Sequence, residues 1–449
     1  MSMDDLQEPD MSGKVVVVGL GVTGLSVVRY LCSKNINPVV VDSRSTPPGK
    51  DELLESFSEV EFFFGEFNKD KLATAKQLVV SPGVSVNLPE LSYAASQGVE
   101  IVGDIELFAR DVDAPVIAIT GSNGKSTVTT LVGEILSRCG MKTGVGGNIG
   151  VPALDLLETK SQVYVLELSS FQLETLESLK PVAAVILNIS EDHLDRYENY
   201  QAYIQAKKKI YQHAEHCIVN RDDKVVAALQ GLTDVAGFTL SSPEGKDFGL
   251  KHVNGEDWII RNGRNIINSH ELFVGGLHNV ANVMAALALI DNFDLPEDTV
   301  LDAIKTFEGL PHRMQCVAIA NNVKWFDDSK ATNVGAAEAA INGLANNIIL
   351  IAGGDSKQQD LSVLKKPVND FVETMIVIGR DAELLEKACE GAAEIVHASC
   401  MYDAVVKANE LSKPGDSVLL SPACASFDMF DNYMHRGEVY KDAVKAVLA

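Results

Sequence analysis

The sequence has little positive charge, few cysteines and no long apolar run. Its 38 lysine and arginine residues are outnumbered by 62 aspartates and glutamates, which gives a formal net charge of −24. Because binding to nucleic acid requires a basic surface that displaces counterions, this balance argues against a nucleic-acid partner. It does not argue against small anionic substrates, since a few lysines in a cleft outweigh the global charge locally.

The seven cysteines are scattered, and none forms a CxxC pair. An odd number without zinc-ligand spacing indicates reduced thiols rather than disulfides or a structural metal. The N-terminal segment MSMDDLQEPDMSG is acidic and polar, which is not typical of a signal peptide, and no apolar run has membrane-spanning length. We therefore expect a cytoplasmic protein without membrane contact. Whether translation starts at Met1 or Met11 stays open.

Apolar segments that end in polar residues recur along the whole chain. Length and this pattern predict an α/β protein of three domains: a Rossmann-like unit over residues 1–103, a central P-loop ATPase-like parallel sheet over 104–309, and a second Rossmann-like unit over 310–449. The polar region 241–270 is predicted to form hairpins or loops, and residues 278–290 a helix. Since ligands bind at the carboxyl ends of parallel strands, we expect one cleft shared by all three domains.

The stretch AITGSNGKSTVTTL, residues 118–131, joins an apolar strand to a helix through glycines, one lysine and several hydroxyls. Glycines let backbone N–H groups converge on phosphate oxygens, and the helix N-terminus adds positive potential. Lys125 can reach the β- and γ-phosphates, and Ser126 or Thr127 can hold Mg²⁺. The spacing is shorter than GxxxxGK[ST], so we predict a shortened P-loop. Its predicted ATP-binding residues are Gly121, Asn123, Gly124, Lys125, Ser126 and Thr127.

A second phosphate cradle, GLGVTG, spans residues 19–24, and the next predicted strand ends at Asp42. The pattern matches the GxGxxG turn of dinucleotide sites, and the same turn can receive the diphosphate of a UDP-linked sugar. The alternative is a tight turn that serves only close packing of strand and helix. A dehydrogenase has no use for the P-loop, and a simple ATPase or nucleotide switch has none for GLGVTG. A ligase that joins a nucleotide-linked acid to another molecule at the expense of ATP needs both.

Acidic residues and a histidine follow two strands of the central unit. Glu167 ends the apolar run VYVLE, where a buried carboxylate is costly unless it is paired or bound to metal. The alternative is that Glu167 caps the next helix. Asp192, His193 and Asp195 lie on the loop after the following strand, where His193 suits either a metal ligand or a structural role.

Lys207 lies in the middle of an apolar helical stripe, whereas Lys208 and Lys209 are predicted to face solvent. The residues of the stripe are Tyr200, Tyr203, Ile204, Ile210 and Tyr211. Burial lowers the pKa of a lysine, and a neutral amine reacts with CO₂ to give a carbamate, which is a bidentate oxygen ligand for Mg²⁺. An ordinary ion pair with a nearby acid is the alternative.

Seven segments together resemble the Mur ligases of peptidoglycan synthesis, and the resemblance covers residues 14–449. They are TGSNGKST, ELSSFQLE, DHLDRY, QAKKKIY, HNVAN, LPHR and DDSKATN. The P-loop and HNVAN are shared with folylpolyglutamate synthetases, whereas DSKATN and LLSPACASFD are more specific for the members that add D-glutamate. Two departures affect the implied glutamate pocket: Tyr433 stands where phenylalanine is usual, and Phe427 where leucine is common.

The resemblance implies an ATP-dependent amide ligase that adds D-glutamate to UDP-N-acetylmuramoyl-L-alanine through an acyl phosphate. It implies ATP, two Mg²⁺ ions and a carbamate on Lys207, in a protein that acts as a monomer. Three domains are expected to close over the cleft. A ligase of the same class with another amino acid or a folate acceptor is the alternative. An NAD-dependent oxidoreductase that uses GLGVTG, or a non-catalytic nucleotide switch, is a more remote one.

The resemblance also implies roles for individual residues. The catalytic set is Lys125, His193, Lys207 and Lys330. The Mg²⁺ ligands are Ser126, Glu167, His193 and carbamylated Lys207. ATP is held, beyond the P-loop, by Asn279 and Asn282 at the adenine, Arg313 at a phosphate and Asp328 at the ribose. The UDP substrate is held by Gly21, Thr23, Ser43, Arg44 and Asn148. D-glutamate is surrounded by His193, Lys330, Thr332, Lys357 and Ser426.

Overall fold

The computed structural model of the protein describes residues 9–192, 196–273, 276–344 and 347–448. In these ranges the chain forms three sheets that follow one another along the sequence, each packed with helices. The predicted α/β class with three domains is therefore confirmed, whereas the boundaries at 103/104 and 309/310 stay predictions. None of the described helices combines the length and the apolarity needed to cross a membrane.

The first domain contains a five-stranded parallel sheet. Its strands are β1 (Val15–Val18), β2 (Val39–Asp42), β3 (Glu61–Phe64), β4 (Gln77–Val80) and β5 (Glu100–Val102). Its helices are α1 (Val22–Ser33), α2 (Lys50–Ser56), α3 (Lys69–Leu72) and α4 (Pro89–Ser96). The strand order β3-β2-β1-β4-β5 is Rossmann-like. Because both faces of the sheet are covered, every residue of β1 and β2 is buried, which explains the runs VVVV and VVVD.

The second domain contains the largest sheet. Its strands are β6 (Val116–Thr120), β7 (Thr143–Gly147), β8 (Val163–Glu167), β9 (Ala183–Ile186), β10 (His216–Asn220), β11 (Val235–Thr239), β12 (Phe248–Val253), β13 (Glu256–Arg261) and β14 (Arg264–Asn268). The order is β14-β13-β12-β11-β10-β9-β6-β8-β7. The strands from β7 to β12 are parallel, and β13 and β14 add antiparallel hairpins. The hairpins predicted in 241–270 are thus confirmed.

Helices pack on both sides of this sheet. They are α5 (Asp104–Asp111), α6 (Lys125–Arg138), α7 (Ala153–Leu156), α8 (Ser170–Glu174), α9 (Tyr200–Lys208), α10 (Lys224–Ala227), α11 (Leu277–Ile290) and α12 (Glu297–Thr306). Helix α11 confirms the helix predicted over 278–290. Helix α5 is bound to the second domain, since the Asp104 carboxylate accepts a hydrogen bond from Gln172 Nε2 at 3.0 Å. The Glu106 carboxylate likewise accepts one from the Ser178 N–H at 2.9 Å.

The third domain contains a mostly parallel sheet in the order β15-β16-β20-β17-β18-β19, in which the edge strand β15 is antiparallel to β16. Its strands are β15 (Gln315–Ala320), β16 (Val323–Asp327), β17 (Ile348–Gly353), β18 (Val372–Ile378), β19 (Glu394–His397) and β20 (Ser417–Leu420). Its helices are α13 (Val334–Leu344), α14 (Lys365–Phe371), α15 (Ala382–Ala388), α16 (Met401–Leu411) and α17 (Tyr433–Leu448).

The domains are joined in two different ways. Apolar residues of the first and second domains belong to one continuous buried cluster that includes Leu31, Phe108 and Tyr164. At the same junction, Ser26 and Arg29 of α1 donate to the Asp155 carboxylate of α7 at 2.7 Å. The third domain instead has two apolar clusters of its own. This division favours a rigid unit of the first two domains, against which the third domain can turn.

Candidate active site

The P-loop lies where β6, which pairs with β9 and β8 in the second sheet, meets α6. Gly124 has a φ of +83°, which favours glycine, and a Cβ built there would lie 2.7 Å from Oδ1 of Asn282. Gly121 also has a positive φ, of +154°. The loop therefore needs its glycines both for backbone conformation and for close packing on α11. The predicted strand–loop–helix context of the P-loop is confirmed.

Lys125 begins α6 and turns back over its own loop. Its ammonium donates to the carbonyl oxygens of Gly121 at 2.8 Å and Ser122 at 2.9 Å. Burial lowers the pKa of Lys125, and the nearby carboxylate of Glu167 opposes that shift. The position suits a cation that exchanges these carbonyls for phosphate oxygens.

Glu167 ends β8, with both its backbone and its side chain tied to Asn148. The Asn148 amide donates to Oε1 of Glu167 at 2.7 Å, and the Asn148 N–H donates to the Glu167 carbonyl at 2.8 Å. Helix α8 is capped by a Ser169–Gln172 capping box, so Glu167 does not serve as its cap. Oε2 of Glu167 is buried and has no hydrogen-bond partner among the described residues.

An unpartnered carboxylate oxygen beside a P-loop is a donor that Mg²⁺ prefers. Ser126, the hydroxyl residue after the P-loop lysine, is a second oxygen donor of the kind that holds Mg²⁺ in nucleotide sites. The hydroxyl oxygen of Ser126 lies 3.1 Å from Nη2 of Arg313, which comes from the third-domain side of the cleft. These residues fit a divalent cation bound together with a triphosphate.

Lys207 is fully enclosed, with 2% of its surface exposed, so its predicted burial is confirmed. Its ammonium donates to the Gly121 carbonyl at 2.9 Å and lies 4.8 Å from the ring centroid of Tyr203. Burial, followed by the charge of Lys125, lowers the pKa of Lys207 well below its ordinary value. The alternative of an ion pair is not realised with any carboxylate in the described part of the chain. Lys209, predicted to face solvent, is half-buried and bonds to the Glu177 carboxylate at 2.9 Å.

A cavity of about 360 Å³ separates the P-loop from the third domain. Predicted ATP-binding residues line it from both sides. They are Asn123, Gly124, Thr127, Asn279, Asn282, Arg313 and Asp328, and Lys330 lines it with them. The structure therefore brings most of the predicted nucleotide set together, although the role of each residue stays a prediction.

Two ionisable groups at the third-domain wall of this cavity are strongly perturbed. Burial raises the pKa of Asp328 to about 7, although a hydrogen bond from Ser421 at 2.8 Å and the charge of Arg313 oppose the shift. Burial, together with the charge of Arg313, lowers the pKa of Lys330 to about 8. Both groups thus titrate near neutral pH, which is typical of functional sites.

The residues predicted to bind D-glutamate do not all line one cavity. Lys330 lines the nucleotide cavity, whereas Lys357 lines a second cavity of about 580 Å³ together with Asp192 and Arg380. Ser426 is buried, and Phe427 beside it is 71% exposed. Thr332 is half-buried and its N–H donates to the Lys330 carbonyl at 2.8 Å. His193 and Asp195 lie outside the described residues.

The GLGVTG turn lies at the carboxyl end of β1, as predicted, and its three glycines differ. A Cβ built on Gly24 would lie 2.1 Å from the carbonyl oxygen of Gly19, whereas a Cβ on Gly21 would have nothing within 4 Å. Gly21 therefore faces open space where a diphosphate can approach. Asp42 accepts the Leu20 N–H at 2.7 Å and pairs with Arg44 at 2.6 Å. Thr23 is half-buried, and Ser43 and Arg44 are exposed at the same edge of the sheet.

Sequence reasoning gave no role to two asparagines at the site. Asn188 follows β9 and holds the P-loop backbone, since its Oδ1 accepts the Asn123 N–H at 2.8 Å and its Nδ2 donates to the Asn123 carbonyl at 3.1 Å. Asn333 of the third domain pairs with the Asn123 side chain. The position of Asn188 just after an apolar strand is the sequence feature that could have predicted a role at the site. Asn333 ends the segment DDSKATN.

A P-loop that faces cations of a separate domain across one cavity suits an ATP-dependent ligase. Three parts of the chain match domains of one family. Residues 13–103 match the domain described as Mur ligase MurD-like, N-terminal domain; residues 119–290 match the Mur ligase middle domain, and residues 312–424 the Mur ligase, glutamate ligase domain. The chain belongs to the Mur ligase family.

Relatives match over nearly the whole chain. A protein from Pseudomonas putida named UDP-N-acetylmuramoylalanine--D-glutamate ligase is 47% identical, over 95% of this chain and 96% of its own length. One of the same name from Methylobacillus flagellatus is 48% identical, over 96% of each. The solved pseudomurein peptide ligase type C from Methanothermus fervidus has a TM-score of 0.63 at 18% identity, over 97% of this chain and 100% of that one, which shows a shared fold. As a Mur ligase, the chain is a ligase of peptidoglycan synthesis that uses ATP and Mg²⁺.

Proposed function

We propose that this chain joins D-glutamate to the carboxyl group of UDP-N-acetylmuramoyl-L-alanine at the expense of ATP. The observation that carries the proposal is the meeting of the P-loop with Arg313, Asp328 and Lys330 of the other domain around one cavity. A nucleotide site closed by a second, cationic wall suits a reaction in which ATP activates an acid for attack by another substrate. The names of the full-length relatives support D-glutamate as that substrate.

The reaction proceeds in two steps. A carboxylate oxygen of the UDP substrate attacks the γ-phosphorus of ATP, the bond to the β-phosphate oxygen breaks, and ADP leaves. The amine of D-glutamate then attacks the acyl carbon of the acyl phosphate. A tetrahedral intermediate collapses, inorganic phosphate leaves with the bonding electron pair, and loss of a proton from nitrogen completes the amide.

Charge placement dominates the first step. An anionic carboxylate approaching a triphosphate is repelled by about 4 kcal/mol per unit pair at ~4 Å and an effective dielectric of ~20. Lys125 on the P-loop, with Arg313 and Lys330 on the opposite wall, offsets this repulsion from two sides. Since Arg313 lies 3.1 Å from the Ser126 hydroxyl, its guanidinium is within reach of the phosphates that the P-loop holds. Closure of the third domain also keeps water from the acyl phosphate.

We further propose two Mg²⁺ ions, the first held by Ser126 and Glu167 and the second by His193 and Lys207. Bound Mg²⁺ would neutralise phosphate charge and polarise the γ-phosphoryl group. Lys207 would contribute as a carbamate, formed when its neutral amine adds CO₂ and releases one proton. These assignments are supported by Oε2 of Glu167, which has no hydrogen-bond partner among the described residues, and by the enclosure of Lys207.

The remaining sites divide between the outer domains. Gly21, Thr23, Ser43 and Arg44 would hold the uridine diphosphate, and Asn148 the muramic acid part. Lys330, Thr332, Lys357 and Ser426, with His193, would surround D-glutamate. Because one chain supplies all of these residues, we propose that a monomer is active. ATP and a UDP-linked sugar are cytoplasmic metabolites, so the reaction is placed in the cytoplasm.

The test is phosphate release from ATP and Mg²⁺ in the presence of UDP-N-acetylmuramoyl-L-alanine, with D-glutamate, L-glutamate, L-alanine and meso-diaminopimelate in parallel. Release is expected only when both the UDP substrate and D-glutamate are present. Release with another amino acid would keep the mechanism and overturn the specificity. Absence of release with all four would overturn the function, provided that the protein is folded and binds ATP.

A further inference from the structure

Asn123 of the P-loop and Asn333 of the third domain form a reciprocal pair of amide hydrogen bonds. Nδ2 of Asn333 donates to Oδ1 of Asn123 at 3.2 Å, and Nδ2 of Asn123 donates to Oδ1 of Asn333 at 3.4 Å. The two residues are 210 positions apart and belong to different domains. Asn333 is buried, with 6% of its surface exposed. The pair thus joins the two domains beside the nucleotide cavity, which Asn123 lines.

Hydrogen bonds to neighbouring residues orient the Asn123 and Asn333 side chains toward each other. On one side, Asn188 bonds to both the N–H and the carbonyl of Asn123, so the backbone is held and only the side chain is left to cross the cleft. On the other side, Oδ1 of Asn333 also accepts the Ala336 N–H at 2.9 Å, which caps the start of α13. The capping bond holds the Asn333 carbonyl group and leaves its NH₂ group to face the P-loop.

The same segment of the third domain carries groups of the active site. Lys330 and Thr332 precede Asn333 within three residues, and Asp328 lies two residues before Lys330. Close packing extends past the pair, since a Cβ built on Gly335 would lie 3.2 Å from Oγ of Ser190. A contact that places Asn333 on the P-loop therefore also places Asp328 and Lys330 at the nucleotide cavity.

We propose that Asn333 is a positioning residue that latches the third domain onto the P-loop in the closed enzyme. Asn123 acts in this latch through its side chain, in addition to its place in the loop that holds phosphate. The pair forms in the P-loop backbone conformation that Asn188 holds. The inference rests on the proposed function for its kinetic consequence, and on geometry alone for its conformational one.

The decisive variant is Asn333→Ser. Serine is a good helix cap, so the start of α13 is kept, but its side chain is too short to pair with Asn123. Asn333→Asp, which keeps the cap and replaces the donor NH₂ group by an anionic oxygen facing Oδ1 of Asn123, is the second variant should the first fail to fold. The matched control is Asn68→Ser, which changes the cap of α3 in the first domain, where Oδ1 accepts the Asp70 N–H at 3.1 Å.

Small-angle scattering with and without a non-hydrolysable ATP analogue and the UDP substrate measures closure without requiring turnover. Wild type and Asn68→Ser are expected to compact on ligand binding, and Asn333→Ser to compact less. In the coupled assay, kcat of Asn333→Ser is expected to fall about tenfold, the effect of losing two amide hydrogen bonds, while KM for the UDP substrate changes little. The double variant Asn123→Ser/Asn333→Ser should be no slower than the slower single variant, because both remove one pair.

Equal compaction and equal kcat in wild type and Asn333→Ser would overturn the latch. Fully additive losses in the double variant would do so as well, since they would mean that the two amides act separately. If the wild-type chain compacts with the ATP analogue but no amino acid supports phosphate release, the proposed function fails while the scattering comparison still decides the latch.

Discussion

The ammonium of Lys330 lies 3.7 Å from the centroid of the Tyr433 ring. Tyr433 begins α17, and its carbonyl accepts a hydrogen bond from the hydroxyl of Ser329 at 2.8 Å, so the ring is fixed next to the segment that carries the lysine. A cation over an aromatic face is attracted by the ring quadrupole. The ring therefore keeps Lys330 at the cavity, and a phenylalanine ring would present the same face.

Tyr433→Leu removes the ring face, whereas Tyr433→Phe retains it. A cation–π contact is worth about 0.5–2 kcal/mol, so we expect kcat of Tyr433→Leu to fall about 2- to 30-fold and that of Tyr433→Phe to stay within about twofold of wild type. The control is Tyr402→Leu on the exposed face of α16, for which no change is expected. Equal activity of the leucine and phenylalanine variants would refute the role of the ring.

The buried carboxyl group of Asp328 predicts a pH dependence of ATP binding. Burial raises its pKa to about 7, so the group is protonated below that pH and ionised above it. An ionised carboxylate accepts hydrogen bonds from both ribose hydroxyls, whereas a protonated one accepts fewer. We therefore expect the Kd for ATP to rise as pH falls below about 7 in wild type. Calorimetric titration between pH 6 and pH 8 measures this, and Asp328→Asn should bind more weakly and lose the part of the profile that is centred near pH 7.

The same shift has a consequence for stability. Because the pKa of Asp328 is raised in the folded state, the fold favours the neutral form, and stability from this group is lost as pH rises from its unfolded value through about 7. At pH 8, Asp328→Asn should therefore unfold at a higher temperature than wild type, since it removes a desolvated charge. A lower melting temperature at that pH would show that Arg313 compensates the carboxylate fully.

Two glycines of the GLGVTG turn separate folding from binding. In Gly24→Ala the new methyl would lie 2.1 Å from the Gly19 carbonyl oxygen, so we expect the first domain to lose about 3 kcal/mol of stability. In Gly21→Ala the methyl meets nothing within 4 Å, and the φ of −102° suits alanine. Gly21→Ala should melt like wild type but raise KM for the UDP substrate about tenfold, because it blocks a phosphate-binding N–H. An unchanged KM would place the diphosphate elsewhere.

Lys207 and Lys208 form a matched pair on α9. Lys207→Met replaces a buried amine by an apolar chain of similar length, so the variant should fold and remain at least as stable as wild type. Its activity should fall about 100-fold, because the proposed second Mg²⁺ would lose its carbamate ligand. Lys208→Met should keep activity, since that lysine is only half-buried. With ¹³C-labelled bicarbonate, a carbamate carbon signal is expected in wild type and in Lys208→Met but not in Lys207→Met.

Several features of the fold and site followed from local patterns. Strand β1 could be predicted because a run of four valines between Lys14 and Gly19 suits a strand covered on both faces. The P-loop was readable because its phosphate-binding groups are contiguous in sequence. The burial of Lys207 followed from helical periodicity, since side chains at a spacing of three or four residues share one face. In each case the residues needed for the prediction lie within one short segment of the sequence.

Other features depend on packing between distant segments. No local pattern predicts that Arg313 reaches the Ser126 hydroxyl, or that one oxygen of Glu167 bonds to Asn148 while the other is left without a partner among the described residues. Nor does local sequence reveal that Lys357 lines a different cavity from Lys330. Such contacts depend on which strand ends become neighbours and on how two domains dock.

The α/β class, the two glycine-rich turns and the family follow from the amino-acid sequence alone, because each is encoded in short contiguous patterns. Which of the polar residues come into contact depends instead on how distant segments pack. The pair Asn123–Asn333 shows why: each asparagine reads locally as a loop or cap residue, and their two hydrogen bonds exist only because the third domain docks on the P-loop. Hydrogen bonds act over about 3 Å, so their partners are set by the packed fold rather than by distance along the chain.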